Sequence, residues 1–114
     1  MATNLRISRT RGGDMHPLNV SGFIIAHLTI HGEDYISSMH RAYKEALDQL
    51  AIENGRRRPY HKARYHSFEM RVQQLAREGT IEFSGREEPS DSPQFIGWDP
   101  PPMRRFYRLK KGAG

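Results

Sequence analysis

The side chains in this sequence that are best placed to do chemistry are cationic, and the chemistry they suit is contact with a polyanion. Lysine and arginine concentrate in three blocks, at residues 6–11, 56–64 and 104–111. Such groups neutralise phosphates, and blocks on both sides of one predicted helix favour nucleic-acid contact over a merely solvated surface. The cations expected to contact nucleic acid are Arg56, Arg57, Arg58, Lys62, Arg64, Arg104 and Arg105.

The helix between the second and third blocks carries side chains that could read bases. It begins between Tyr60 and Ser67 and ends at Gly79, with Phe68, Val72 and Leu75 facing inward. At 100° per residue the face opposite these three carries His66, Gln73, Gln74 and Arg77. Glutamine amides match adenine edges and arginine matches guanine. The same residues are also ordinary on a solvated helix, and the neighbouring Glu69 and Met70 do not favour DNA.

Catalytic and metal chemistry find little support. His27 and His31 lie four residues apart, a spacing that puts two ligands on one helix face. No glutamate accompanies them as in a metalloprotease motif, and the sequence contains no cysteine. No serine, histidine and acid spacing indicates a nucleophile, and no glycine-rich loop could cradle a phosphate. We therefore expect a binding protein rather than an enzyme, with no metal and no cofactor.

Composition sets the bounds. The 114 residues suffice for one domain with a modest core, and 36% of them are apolar. The net charge of +5 and the isoelectric point near 9.9 permit a polyanionic partner. No apolar run approaches the ~18 residues that span a bilayer, and no hydrophobic signal core is present. These features predict a cytoplasmic protein without a membrane partner.

Periodicity predicts three helices. Residues 1–15 show no sustained period and are interpreted as a flexible basic arm. The first helix begins at Asn19 or Ser21 and ends at Gly32, although its β-branched and aromatic residues leave a strand as the competitor. The second follows an N-cap at Asp34 and ends at residues 54–55.

A strand, a loop and a second strand follow the helices. Residues 80–84 alternate as a half-buried strand, and a basic strand begins at Arg104. Residues 85–103 hold most of the prolines and an acidic run, which predicts a long irregular loop. Phe95 and Trp98 in this loop either fold back over the core, the alternative the sequence favours, or form a contact patch for a partner.

Three segments resemble a known family: residues 22–32, residues 72–82 and residues 104–112. The segment 75–81, with its Leu-x-x-Glu-Gly-x-Ile pattern, is common across winged helices. Residues from about 20 to 111 resemble a winged helix-turn-helix domain, loosely of the PadR-like group of transcriptional regulators. The resemblance implies an α+β fold, mainly α, with three helices followed by a two-stranded β wing and a long wing loop. The domain would span residues 16–111, and residues 112–114 would form a tail.

The function expected from this resemblance and from the basic blocks is binding of double-stranded DNA by a transcriptional regulator or accessory factor. The alternative is a winged-helix module that binds a protein partner or a second copy of the chain through Phe95 and Trp98. RNA binding shares the basic blocks and stays open.

Overall fold

The computed structural model describes residues 18–110, which fold as three helices and one three-stranded antiparallel sheet. The helices are α1 (Val20–His31), α2 (Ile36–Glu53) and α3 (Tyr65–Arg77), and the strands are β1 (Glu33–Tyr35), β2 (Ile81–Pro89) and β3 (Met103–Leu109). The predicted class, α+β and mainly α, is confirmed. The predicted basic arm at residues 1–15 and the tail at 112–114 lie outside the described residues.

Helix α1 begins and ends at residues with the expected capping chemistry. The side chain of Asn19 accepts a hydrogen bond of 2.8 Å from the backbone N–H of Gly22. Gly32 has φ of 86°, a conformation that costs glycine little, and its N–H bonds back to Leu28. Ile24 and Leu28 are fully or almost fully buried. The helical prediction is confirmed and the competing strand is wrong.

Helix α2 ends as predicted but begins differently. Its N-cap residue is Tyr35 rather than Asp34, because Asp34 lies inside β1, the short strand that the sequence did not reveal. Asp34 still serves the start of the helix by accepting hydrogen bonds from the backbone N–H of Tyr35 and from the Ser38 hydroxyl. At the other end Gly55 adopts φ of 67°.

The core lies between the three helices and the inner face of the sheet. Its fully buried side chains are Ile24, Met39, Tyr43, Leu47, Phe68 and Val72. His40 is also buried, and its Nε2 donates a 2.8 Å hydrogen bond to the Ala63 carbonyl in the α2–α3 connection. The predicted inward face of α3, formed by Phe68, Val72 and Leu75, therefore lies in the core, and α3 starts within the predicted window.

The sheet has the order β1-β3-β2 and differs from the predicted wing in two ways. Strand β1 adds a third member, with Tyr35 opposite Phe106. Strand β2 extends through Pro89, beyond the predicted end at residue 84, because Glu87 and Glu88 lie opposite Arg105 and Arg104. Opposite charges at cross-strand positions stabilise pairing. The irregular part of the predicted loop is thus shorter, at residues 90–102.

Strand β3 buries adjacent side chains on opposite faces of the sheet. Tyr107 belongs to the core, whereas Phe106 lies on the outer face, yet each is only 6% exposed. Phe106 is covered by the ring of Tyr35, 5.2 Å away, and by the guanidinium of Arg86, 4.2 Å from its centroid. The outer face is therefore a second, smaller packing layer.

Candidate nucleic-acid interface

Three arginines of the third basic block are paired with acidic residues of β2 and the loop after it. Arg104 lies 3.4 Å from Glu88 and 3.1 Å from Asp91. Arg105 and Arg108 pair with Glu87 at 3.3 Å and Glu82 at 2.9 Å, respectively. The acidic residues of the predicted loop, Glu87, Glu88 and Asp91, therefore do not form a free acidic tip, because arginines of β3 are ion-paired with them. Arg104 and Arg105 consequently offer less positive potential than their sequence positions suggest.

Arg86 is the centre of this ion-pair network. Its guanidinium donates to Glu33 at 2.7 Å and also to Glu88. The hydrogen bond from Arg86 lowers the pKa of both carboxyl groups, and these same bonds raise the pKa of the Arg86 guanidinium. Since Glu33 is in β1 and Glu88 is in β2, Arg86 ties both edge strands together across β3.

The second basic block, in contrast, stays available to an external anion. Arg56, Arg57 and Arg58 are all exposed in the connection that follows α2. The Arg56 guanidinium lies 4.0 Å from the Tyr60 ring centroid and donates to the Arg58 carbonyl at 3.2 Å. Within residues 18–110, no carboxylate forms an ion pair with any of these three arginines.

Two other predicted contacts border this block. Lys62 pairs with Asp48 at 2.7 Å, which ties the connection to α2 and partly neutralises the ammonium group. Arg64 is the N-cap residue of α3, is exposed and has no ion pair within the described residues. Arg64 is thus an unpaired cation at the start of α3, where the helix N-terminus adds favourable potential for an anion, whereas Arg56, Arg57 and Arg58 follow the C-terminal end of α2.

The predicted reading face of α3 divides into two parts. Arg77 is exposed at the C-terminal end without an ion pair inside the described region, and His66 is exposed 3.9 Å from Glu69. Gln74 is already engaged, since it accepts from Arg71 at 2.9 Å and donates to Glu78 at 3.0 Å. Gln73 instead faces a groove beside the wing.

This groove, which we call the wing groove, is a cavity of about 660 Å³ between α3, the start of α2, β3 and the loop at 90–102. Its aromatic members are Tyr35, Tyr65, Phe95 and Tyr107, and its charged or amide members are Glu69, Gln73, Gln94, Arg104 and Arg105. Sequence reasoning missed it because four separate segments contribute. No local pattern signals that Tyr35 and Tyr65 approach the same space.

Tyr65 marks the entrance from α3. It is 44% exposed. Its ring lies nearly perpendicular to the His40 ring, with the two ring centroids 5.6 Å apart. Partial burial, and to a smaller extent the negative charge of Glu69, raise the pKa of the Tyr65 hydroxyl. Tyr65 therefore stays a neutral aromatic surface at ordinary pH.

The aromatic loop does not fold back over the core as the sequence favoured. Trp98 is 57% exposed, so that interpretation is wrong for this residue, and the neighbouring Ile96 is 80% exposed. Phe95 is half-buried and packs edge-on against Trp98 at 5.1 Å between ring centroids. The core cluster draws on the helices, β2 and β3 and includes no residue of this loop, so Trp98 is not needed to cover it.

His27 and His31 do lie together, with ring centroids 4.3 Å apart. Nε2 of His27 lies 2.7 Å from Oδ2 of Asp34, which gives this ring a structural partner. Within residues 18–110, no group of three or more histidine, aspartate or glutamate side chains is arranged to hold a metal ion.

Comparisons with protein-family models, with curated proteins and with solved structures returned no match. In the described part of the chain, no helix combines the length and apolar character that crossing a membrane requires.

Proposed function

We propose that this chain is a winged helix-turn-helix protein that binds double-stranded DNA, as a small transcriptional regulator or accessory factor acting in the cytoplasm. The order of elements α1-β1-α2-α3-β2-β3, with β3 central in the sheet, supports this proposal because a winged helix requires a helix-turn-helix followed by a hairpin. The proposal assigns the protein no catalytic step and no cofactor.

The observation that carries the proposal is the uneven pairing of the cations. Arg57, Arg58 and Arg64 are exposed and, within residues 18–110, have no carboxylate partner. Arg104, Arg105 and Arg108 of β3, in contrast, form ion pairs with glutamates of β2. A folded protein gains little from three unpaired arginines in one connection between helices, whereas a phosphate backbone supplies their missing counter-charge.

In the proposed complex, α3 enters the major groove and the α2–α3 connection follows the phosphates. Arg77 is the strongest base-reading candidate, because its guanidinium is exposed and Gln74 is held by its neighbours. Bidentate contact with guanine suits that side chain. His66 and Gln73 would lie beside the major groove of the DNA.

A second candidate function is binding of a protein, and the exposure of the loop favours it. Trp98 and Ile96 present apolar surface that nothing in residues 18–110 covers. Aromatic side chains often anchor interfaces, so the loop suits a protein partner or a homodimer. RNA remains the competing polyanion, since phosphate contact does not distinguish it from DNA.

Salt-dependent binding to duplex DNA tests the main proposal. The double variant Arg57→Ala/Arg58→Ala should bind more weakly to every duplex sequence, because phosphate contacts carry no sequence information. The slope of log affinity against log salt should flatten by about 0.9 for each phosphate that the variant no longer neutralises. Fluorescence anisotropy at four salt concentrations measures both quantities.

Arg108→Ala is the matched control. Arg108 is a half-exposed arginine already paired with Glu82, so its removal changes the net charge but takes away no free cation. We expect its salt slope to match that of the parent. An unchanged slope for the double variant, or an equal change for Arg108→Ala, contradicts the proposed phosphate contact. Parallel titration with duplex RNA of the same sequence separates the two polyanions.

A further inference from the structure

We propose that the wing groove binds one unpaired nucleobase, so that the protein favours DNA in which a base is unstacked next to a duplex. This inference rests on the proposed nucleic-acid binding and adds a ligand class to it. The site combines an open cavity, two accessible aromatic surfaces, polar groups suited to a base edge, and arginines at the mouth.

The cavity exists because β3 is longer than the helical layer that covers it. Tyr107 and Leu109 on its inner face pack against the core. Further along the same face Arg105 is exposed and Met103 is 49% exposed. The inner face of the wing therefore becomes a floor, with α3 on one side and the loop at 90–102 on the other. Its volume of about 660 Å³ falls within the ~300–1,000 Å³ range of small-molecule sites.

Two aromatic side chains come from different elements. Tyr65 is contributed by the first turn of α3, and Phe95 by the single 3₁₀ turn of the loop. Tyr65 is exposed and Phe95 is half-buried, whereas Tyr107 is buried in the core and the Tyr35 ring is stacked on the Arg104 guanidinium. Stacking on aromatic side chains is the main way proteins hold unpaired bases, whatever their sequence.

The polar lining suits the edge of a base. Glu69 offers carboxylate oxygens that accept from an exocyclic amino group, and Gln73 and Gln94 offer both donors and acceptors. Glu69 is unfavourable beside a phosphate backbone. Its position within the groove gives it a different role, because the amino groups of adenine and cytosine need an acceptor when a base leaves the duplex.

The mouth of the groove carries the charge that a nucleotide needs. The Arg105 side chain is 52% exposed, and its pair with Glu87 is itself exposed, so a phosphate can compete for it. Among the described residues, Nε of Arg104 is buried and has no hydrogen-bond partner. This donor is shielded from solvent, and its guanidinium stacks on the Tyr35 ring, so Arg105 is the arginine available to a nucleotide phosphate.

A nucleobase fits these observations better than a peptide. The unpaired cations Arg58 and Arg64 lie in the segment leading into α3, the helix that lines the groove, so a bound polyanion would deliver its own bases to the site. The most exposed apolar side chains, Ile96 and Trp98, are not part of the groove lining. A protein partner would be expected to use those two first.

The test compares three forms of one DNA sequence: a fully paired duplex, the same duplex with one bulged 2-aminopurine, and the single strand. The full-length chain should bind the bulged duplex at least about fivefold more tightly than the paired one, the lower end of what one stacked base contributes. The fluorescence of 2-aminopurine, which falls when the base stacks on an aromatic ring, should decrease on binding.

Three variants locate the effect. Phe95→Leu and Tyr65→Leu should each remove most of the preference for the bulge while leaving affinity for the paired duplex unchanged. Glu69→Gln keeps the shape but removes the negative charge and replaces one acceptor oxygen with an N–H donor. Because the charge change affects every DNA alike, the readout is the ratio between bulges, which should shift from adenine towards thymine. As a control, Ile96→Ala removes an exposed apolar side chain of the same loop outside the groove lining and should leave the preference intact. Circular dichroism confirms that each variant is folded.

The outcomes separate this inference from the DNA-binding proposal. Binding to the paired duplex without any preference for the bulge overturns the nucleobase site alone. Binding to the bulged duplex and the single strand, but not to the paired duplex, supports the site and overturns duplex binding. A preference that survives both Phe95→Leu and Tyr65→Leu places the base elsewhere and overturns the inference. Sedimentation detects association between copies of the chain. If the wing groove is protected only at the high concentrations at which copies associate, a second copy occupies it, and the inference is overturned as well.

Discussion

At the scale of single residues, the partner of a charge decides what that charge can do. Arg86 and Arg57 are both exposed arginines, yet the first bridges two strands and the second has no carboxylate partner within residues 18–110. The hydrogen bonds from Arg86 hold the pKa of Glu33 and Glu88 below the usual carboxyl value. A lowered folded-state pKa means that the unfolded chain binds protons more readily, which links folding to pH.

The sign of that linkage gives a prediction for Glu33. A lowered carboxyl pKa contributes stability above the unfolded value, near pH 4–5, and the contribution disappears as pH falls through the folded value. Glu33→Gln should therefore melt at a lower temperature than the parent at pH 7, and the difference should close as the pH falls below the ordinary carboxyl value. Thermal unfolding by circular dichroism from pH 7 to pH 3 measures it.

Glu45→Gln is the control, because Glu45 is an α2 carboxylate at the surface with no ion pair in the described region. Its melting temperature should follow that of the parent at every pH. A difference between Glu33→Gln and the parent that stays constant with pH would show that the carboxylate charge of Glu33 does not stabilise the sheet.

At the scale of elements, one aspartate connects three of them. Asp34 lies in β1, accepts a 2.9 Å bond from Ser38 of α2 and lies 2.7 Å from His27 of α1. The side chains of His27 and Asp34 are 10% and 14% exposed, so these bonds are partly shielded from water. Removing a shared acceptor leaves several donors without a partner, which costs more than removing one member of a surface ion pair.

Asp34→Ala should accordingly lower the free energy of unfolding by about 1–3 kcal/mol. Chemical denaturation with guanidinium, followed by circular dichroism, gives this value. Asp48→Ala is the matched comparison, since Asp48 also makes a 2.7 Å ion pair, with Lys62, but is 55% exposed. We expect a change of ~0–1 kcal/mol there. Equal destabilisation of the two variants would contradict the linking role of Asp34.

At the scale of the whole molecule, the loop at 90–102 projects from a core that is complete without it. The buried cluster draws on all three helices, β2 and β3, and includes no residue of that loop. Trp98, the chain's single tryptophan, is therefore a surface residue. Exposed aromatic groups at a loop tip suit association rather than folding.

Trp98→Ala should change the free energy of unfolding by less than about 1 kcal/mol, whereas Phe68→Ala, in the core, should cost about 3–5 kcal/mol. Urea denaturation compares the two variants. The emission of Trp98 in dilute protein should be red-shifted and open to quenchers. A blue shift on raising the chain concentration would indicate a homodimer through the loop. A destabilisation by Trp98→Ala as large as that of Phe68→Ala would contradict the exposed position.

The elements of this fold could be predicted where the signal is local. The stripe of Phe68, Val72 and Leu75 determines α3 because residues at helical spacing share one face whatever surrounds them. The caps at Asn19 and Gly55 follow from side-chain and backbone chemistry within a few residues. The stretch before Gly32 contains β-branched residues that are typical of strands. It nevertheless forms a helix, because Ile24 and Leu28 at helical spacing share one buried face.

What only the tertiary structure decided depends on residues far apart in sequence. Strand β1 is three residues long and exists because β3, some seventy positions later, supplies its hydrogen-bond partners. The extension of β2 depends on Arg104 and Arg105 lying opposite two glutamates, so the same pairing lengthened a strand and neutralised a predicted phosphate site. The wing groove joins four segments and has no local pattern. Composition determines how many charges a chain carries, whereas strand pairing decides which of them remain available to a partner.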